Sequence, residues 1–161
     1  MALRFSLASS PRGCSNRQVA AVNTTQAVLL LKNPTLLVIE GDTGVSKLFF
    51  DVFTGRDWAV DVCNDGPQAA EAINSSRPYD VIIVSYRVPE ANGIYIVQMI
   101  RSLSHREDTP VIMVSGSGNI DQEAYLAGAD EVWHKPVELM SFVSAVEKRA
   151  STASRGQNVV A

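Results

Sequence analysis

The residues of this chain best suited to chemistry fall in four short stretches: Glu40-Gly41-Asp42, Ser85-Tyr86-Arg87, Ser115-Gly116 and Lys135-Pro136. They offer carboxylates, hydroxyls, a guanidinium and an ammonium group. A serine hydroxyl becomes a nucleophile only beside an activating base, and no histidine occupies a matching position in these stretches. His134, before Lys135, has apolar neighbours that predict a packed or capping role. His105 lies in the charged run Ser104-His105-Arg106-Glu107-Asp108, which reads as solvated surface. The turn Ser115-Gly116-Ser117-Gly118-Asn119 leads into a helix N-terminus, a place that can hold a phosphate, but it matches no Walker or dinucleotide fingerprint. Cys14 and Cys63 form no CxxC or Cys/His cluster. Two free thiols in a reducing cytoplasm are therefore expected, not a disulfide framework or a zinc site.

What must position these stretches is a set of alternating elements. Short runs rich in β-branched residues, Leu36 to Ile39, Val81 to Val84, Val111 to Val114 and Glu131 to Trp133, have strand length, and Trp58 to Cys63 alternates in part as an edge strand does. Continuous apolar runs mark strands covered on both faces. Between them, Val45, Leu48, Phe49 and Val52 fall at helical spacing, as do Gly93, Ile96, Val97 and Ile100, and Leu139, Phe142, Val143 and Val146. Weaker stripes run through Ala69, Ala72 and Ile73 and through Ile120, Ala124 and Ala127. Gly55 and Gly128 follow stripes as helix ends, Asn119 with Gln122 reads as a capping pair, and Pro67 and Pro136 suit first turns. Asp42 is expected to cap the first helix. The predicted fold is α/β: a doubly wound, five-stranded parallel sheet with five helices, whose sites gather at the carboxyl ends of the strands.

Composition sets limits on the rest. Hydrophobic residues at 46% and charged residues at 19% describe a globular chain, and 161 residues suit one domain with tails. A net charge of -3 gives no sign of nucleic-acid binding, and the longest apolar stretch, around Ala27 to Ile39, is broken by Lys32, Asn33 and Pro34 and predicts no membrane span. The expected organisation is a partly disordered extension over 1–33, the domain over 34–150 and a disordered tail over 151–161. Too little chain follows the last helix for an output domain, so output is expected through binding.

The strand-end residues, with the Pro89 to Gly93 loop, the Val111-Ile112-Met113-Val114-Ser115-Gly116 segment and His134-Lys135-Pro136, resemble the receiver domain of two-component response regulators over roughly Thr35 to Ala150. The resemblance implies the flavodoxin-like strand order 2-1-3-4-5. It also implies two acidic residues after the first strand that bind a divalent cation, an aspartate after the third strand that accepts a phosphoryl group, and a hydroxyl and a lysine that hold its oxygens. The last two roles fall on Ser115 and Lys135. Glu40 matches the first acidic position, but Gly41 stands at the second and Ser85 at the acceptor.

The chain therefore reads as a degenerate, stand-alone receiver: not an enzyme, with Mg²⁺ binding weak or absent, and with Glu40 and Asp42 only weak candidate ligands. Glu40 is expected to pair directly with Lys135, and Arg87 to add positive charge at the pocket mouth. Val132 replaces the usual fifth-strand aromatic, with Trp133 beside it. A signalling protein or sensor kinase is expected on the face made by the fourth helix, fifth strand and fifth helix, with a homodimer as a further option. The alternatives are phosphorylation at Ser85 or Asp42, and a small-molecule-binding flavodoxin-like domain.

Overall fold

The computed structural model of this chain describes residues 32–156. Strands β1 (Thr35–Ile39), β2 (Ala59–Cys63), β3 (Val81–Ser85), β4 (Val111–Ser115) and β5 (Glu131–His134) alternate with helices α1 (Thr43–Thr54), α2 (Gly66–Asn74), α3 (Gly93–Ser102), α4 (Asp121–Ala127) and α5 (Leu139–Gly156). The strands form one sheet in the order β2-β1-β3-β4-β5, with every pairing parallel, as the sequence predicts. A two-residue antiparallel ladder, Arg87–Val88 with Ala91–Asn92, folds the β3–α3 loop into a small hairpin.

The period of two along a strand divides the core into two layers. Leu37, Ile39, Ile82, Val84 and Met113 face Ile73, Ile96 and Ile100 of α2 and α3. Leu36, Val38, Ile83, Ile112 and Val114 face Phe49 and Phe53 of α1 and Phe142 and Val146 of α5. β1, β3 and β4 are buried along their whole length, whereas β2 and β5, at the edges, are mostly half-buried. The inner strands are the continuous apolar runs, and their helix covering is what that pattern demands.

Helix starts follow side-chain chemistry. Asp42 caps α1, accepting from the Gly44 and Val45 amides at 2.8 and 3.0 Å, and Asp65 caps α2 ahead of Pro67. Three expectations fail here. Asn119 and Gln122 form no cap: Ile120 occupies the N-cap position of α4 without a side-chain bond, because its side chain is needed in the core. Pro136 precedes α5 rather than opening it, and Glu138 accepts from Met140 and Ser141 N–H at 3.1 and 2.7 Å in the capping role. The Ser141 hydroxyl, followed by the Ser141 and Met140 amides, holds the Glu138 carboxyl below its ordinary range. Finally, α5 runs to Gly156 instead of ending at Ala150. Ser151 and Thr152 return their hydroxyls to the Glu147 and Lys148 carbonyls at 2.9 Å, which keeps these polar groups satisfied within the helix. Residues 1–31 and 157–161, which hold most of the predicted extension and the end of the predicted tail, lie outside the described residues.

Packing corrects the sequence reading in other places. The buried line of α1 runs through Ser46, Phe49 and Phe53, leaving Leu48 exposed, because the two aromatics fill the layer. Trp58 precedes β2 and packs edge-on to Phe53 at 5.4 Å. The charged run at 104–108 is not all surface: Arg106 is 2% exposed. Its guanidinium donates to the carbonyls of Ile73, Ser75 and Arg77 at 3.0, 2.9 and 2.6 Å and lies 4.8 Å from the Tyr79 ring. A helix C-terminus leaves carbonyls without partners, and Arg106 supplies donors to the end of α2 from a distant loop.

Two outcomes follow. Arg106→Leu keeps the volume but leaves those carbonyls unanswered, and urea denaturation is expected to show a loss of about 3 kcal/mol. Cys63, buried at the end of β2, has its thiol pushed up to about 11, chiefly by burial. In a Cys14→Ser background, iodoacetamide at mildly alkaline pH is expected to label Cys63 only once denaturant unfolds the chain.

Candidate functional site

The carboxyl ends of β1, β3 and β5 converge on one pocket of about 310 Å³, lined by Glu40, Asp42, Ser85, Arg87, Gly116, Ser117 and Lys135. Parallel strands in register place these residues side by side: Ile39 lies opposite Val84, Ser85 opposite Val114, and Ser115 opposite His134. Each functional side chain is therefore the last residue of a buried strand, or one of the first residues beyond it.

Glu40 is the most deeply buried acidic residue among the described residues, with 3% of its surface exposed. One carboxylate oxygen accepts from the Asp42 amide at 2.9 Å and the other from Lys135 Nζ at 2.6 Å. The expected direct Glu40 to Lys135 contact is present. Lys135 is positioned by its own backbone, whose N–H donates to the Ser115 carbonyl at 2.7 Å. Asp42 sits at the rim. The Val45 and Gly44 amides hold its carboxyl below the ordinary range, with Lys135 adding a smaller pull in the same direction. The capping role expected of Asp42 is the one it performs.

Ser85 ends β3 and is 4% exposed. Its hydroxyl has no hydrogen-bond partner among the described residues. Arg87, two residues on, is exposed at the pocket rim and pairs with no carboxylate among the described residues. Ser115, which the sequence places in the pocket, lies beneath it at 1% exposure, and its hydroxyl is held within its own turn, accepting from Ser117 N–H at 2.9 Å. The neighbours Gly116 and Ser117 line the pocket instead.

Gly41 has a steric role. A Cβ built there would lie 2.5 Å from Pro89 Cδ, so the proline ring of the β3–α3 hairpin occupies the space a side chain would need. The same hairpin is tied to α2, where Gly66 N–H donates to the Pro89 carbonyl at 2.9 Å.

Two residues escaped the sequence reading. Asn64, the first residue after β2, donates to the Glu40 carbonyl at 2.7 Å and to Ser46 Oγ at 3.0 Å, stapling the ends of β1 and β2 to α1. Its place just past a strand was the available signal. His134 is neither packed nor capping. It is exposed at the end of β5, with Nε2 2.9 Å from Asp121 of α4.

The pocket can hold an anion against the Ser85 and Ser117 hydroxyls and the Arg87 guanidinium, none of which has a partner among the described residues. Among the described residues there is no group of three or more His, Cys, Asp or Glu that could hold a metal ion, and no helix is long and apolar enough to cross a membrane.

Comparison with known proteins agrees with this layout. The family model described as "Response regulator receiver domain" matches residues 36–147. The chain is 30% identical over 119 residues to the response regulator ArlR of Staphylococcus epidermidis, covering 71% of this chain and 52% of that protein. It is 28% identical over 106 residues to the signal transduction histidine-protein kinase BarA of Escherichia coli K12, covering 65% of this chain and 11% of the kinase. The chain thus spans about half of the one relative's length and a small part of the other's. Among solved structures, the receiver domain of the Francisella response regulator 1452 superposes with a TM-score of 0.68 at 26% identity, covering 74% of this chain and 98% of that one. A receiver domain protein from Methanospirillum hungatei JF-1, at 16% identity, shares the fold with a TM-score of 0.72 over 78% of this chain and 99% of its own. A buried parallel sheet in the order β2-β1-β3-β4-β5, a lysine after β5 reaching a carboxylate after β1, and a family match across 36–147 together place this chain in the response regulator receiver domain family of two-component signalling.

Proposed function

We propose that this receiver works as a phosphorylation-independent protein interaction module in two-component signal transduction. The observation that carries the reading is Ser85: a neutral hydroxyl ends β3, where the family's phosphoryl acceptor is a carboxylate. A carboxylate attacks phosphorus unaided at neutral pH, whereas a serine hydroxyl needs a base. The Glu40 carboxylate nearby is already bound to Lys135 and the Asp42 amide.

The donor set does not suit a divalent cation. Mg²⁺ takes near-octahedral oxygen ligands, with one or two carboxylates free to turn toward it. Both Glu40 oxygens are engaged, and Asp42 Oδ1 accepts two helix amides. No step is assigned to a metal here, and no reaction to the chain.

The surface built by α4, β5 and α5 fits a constitutive partner face. Trp133 packs edge-on to Phe142 at 5.4 Å and donates its indole N–H to Glu131 at 2.8 Å, while Val132 packs into the opposite layer. An aromatic tethered on both its apolar and polar sides is a poor rotamer switch. A sensor kinase or another signalling protein on this face, or a second copy of the chain, would meet one fixed arrangement.

Incubation of the full chain with acetyl phosphate and Mg²⁺ is expected to leave its intact mass unchanged. Labelling of Ser85 or Asp42, traced by Ser85→Ala and Asp42→Asn, would replace this reading with an unconventional acceptor. Ser85→Asp alone is expected to stay unlabelled. Adding Gly41→Asp drives a side chain into Pro89, so the double variant is expected to lose about 2 kcal/mol of stability and gain no label.

A second expectation tests the ion pair. Lys135→Met leaves Glu40 buried without its cation. Because Lys135 is itself 31% exposed and water can partly replace it, urea denaturation should show a loss on the order of 2 kcal/mol rather than the full cost of breaking a dry pair. Adding Glu40→Gln should recover most of that loss, since neither charge is then stranded.

A further inference from the structure

The charges around the pocket do not cancel in place. Lys135 is bound to Glu40, and Asp42 is bound to the first amides of α1, so each of these carboxylates already has donors. The Ser117 hydroxyl and two further unpartnered donors are left facing the same space. One is the Ser85 hydroxyl, on a residue 4% exposed and without a partner among the described residues. The other is the Arg87 guanidinium at the rim. No side-chain nitrogen or oxygen that is itself buried lacks a partner among the described residues, so the Ser85 hydroxyl opens onto the pocket and is free to turn to a group that enters it.

The chemistry of that group follows from what surrounds these donors. Anionic charge is favoured by Arg87, whose planar fork matches a carboxylate with two parallel hydrogen bonds. Excess anionic charge is disfavoured, because Glu40 and Asp42 line the same pocket and each repels it. Lys135 and Arg87 offset Glu40 and Asp42, so a dianion such as phosphate gains little net attraction for its larger desolvation cost, while a carboxylate carries one charge in a flat group. The pocket is open at the rim where Arg87 stands, so a side chain can enter from outside.

We propose that the pocket receives an acidic side chain presented by a protein partner, its carboxylate taking hydrogen bonds from Ser85 Oγ and Arg87. The partner thereby supplies the carboxylate that this chain lacks at the end of β3. This rests on the reading of the chain as an interaction module and names the chemistry of what it binds.

The test is amide NMR on the ¹⁵N-labelled full chain, titrated at matched ionic strength with acetyl-Gly-Glu-Gly-amide, its Gln counterpart and sodium phosphate. The Glu peptide is expected to shift the signals of Ser85, Arg87, Gly116 and Ser117 saturably, and the Gln peptide to leave them in place. Arg87→Gln should weaken Glu-peptide binding about tenfold, with Arg87→Lys between, as loss of a charge-assisted fork implies. Ser85→Ala should weaken it by a smaller factor. Unchanged signals elsewhere verify that each variant is folded. Tighter binding of phosphate than of the Glu peptide, equal response to the Gln peptide, an unchanged affinity in Arg87→Gln, or no saturable shift would each overturn the proposal. A null titration with a chain that acetyl phosphate leaves unmodified removes this inference alone; labelling of a carboxylate by acetyl phosphate removes the interaction-module reading with it.

Discussion

The contact between Glu40 and Lys135 is the constraint around which the functional end of this domain is arranged. A carboxylate with 3% of its surface exposed is tolerable only when both oxygens are answered. One answer comes from the Asp42 amide, which bends the chain after β1 into the start of α1. The other comes from Lys135, on the far side of β3 and β4 in the sheet. The pair therefore spans the central strands and forms part of the pocket lining beside Ser85. Every other polar group nearby takes its place relative to that span: Asp42 is pushed into a capping role, Asn64 holds the Glu40 carbonyl, and Ser115 turns into its own loop.

A second set of contacts keeps the rim in shape. The β3–α3 hairpin rests its proline against Gly41, and its Pro89 carbonyl accepts a hydrogen bond from the Gly66 N–H, so the loop bearing Arg87 is tied to the end of β1 and to α2. On the far side of the same α2, Arg106 gathers the terminal carbonyls. The helix is thus fixed at both ends by residues distant in sequence, which is how a short helix of modest apolar content holds its position.

The fold was legible in the sequence because its causes are local and repeated. Unbroken β-branched runs alternating with helical stripes admit few arrangements, right-handed crossovers prune these to a handful, and the resemblance to receivers supplies the strand order. The pocket was largely legible for the same reason, since strand ends in a parallel sheet must meet. What escaped depended on contacts between residues far apart. The burial of Arg106 within a run of charges is decided by carbonyls some thirty positions earlier, roughly the spacing of one βαβ unit, and no property of the run itself announces it. Asn119 satisfied the composition of a cap, but Ile120 was required in the core and took the N-cap position. The tail after Ala150 carries no helix-stop residue before Gly156, and its hydroxyls find partners on the preceding turn as the helix runs on.

The fit of Pro89 against Gly41 also couples two positions distant in sequence. A side chain at 41 can be seated only if the proline ring moves, so what position 41 accepts is set by the conformation of the hairpin. A packing contact behind the pocket thus conditions the chemistry available at its edge.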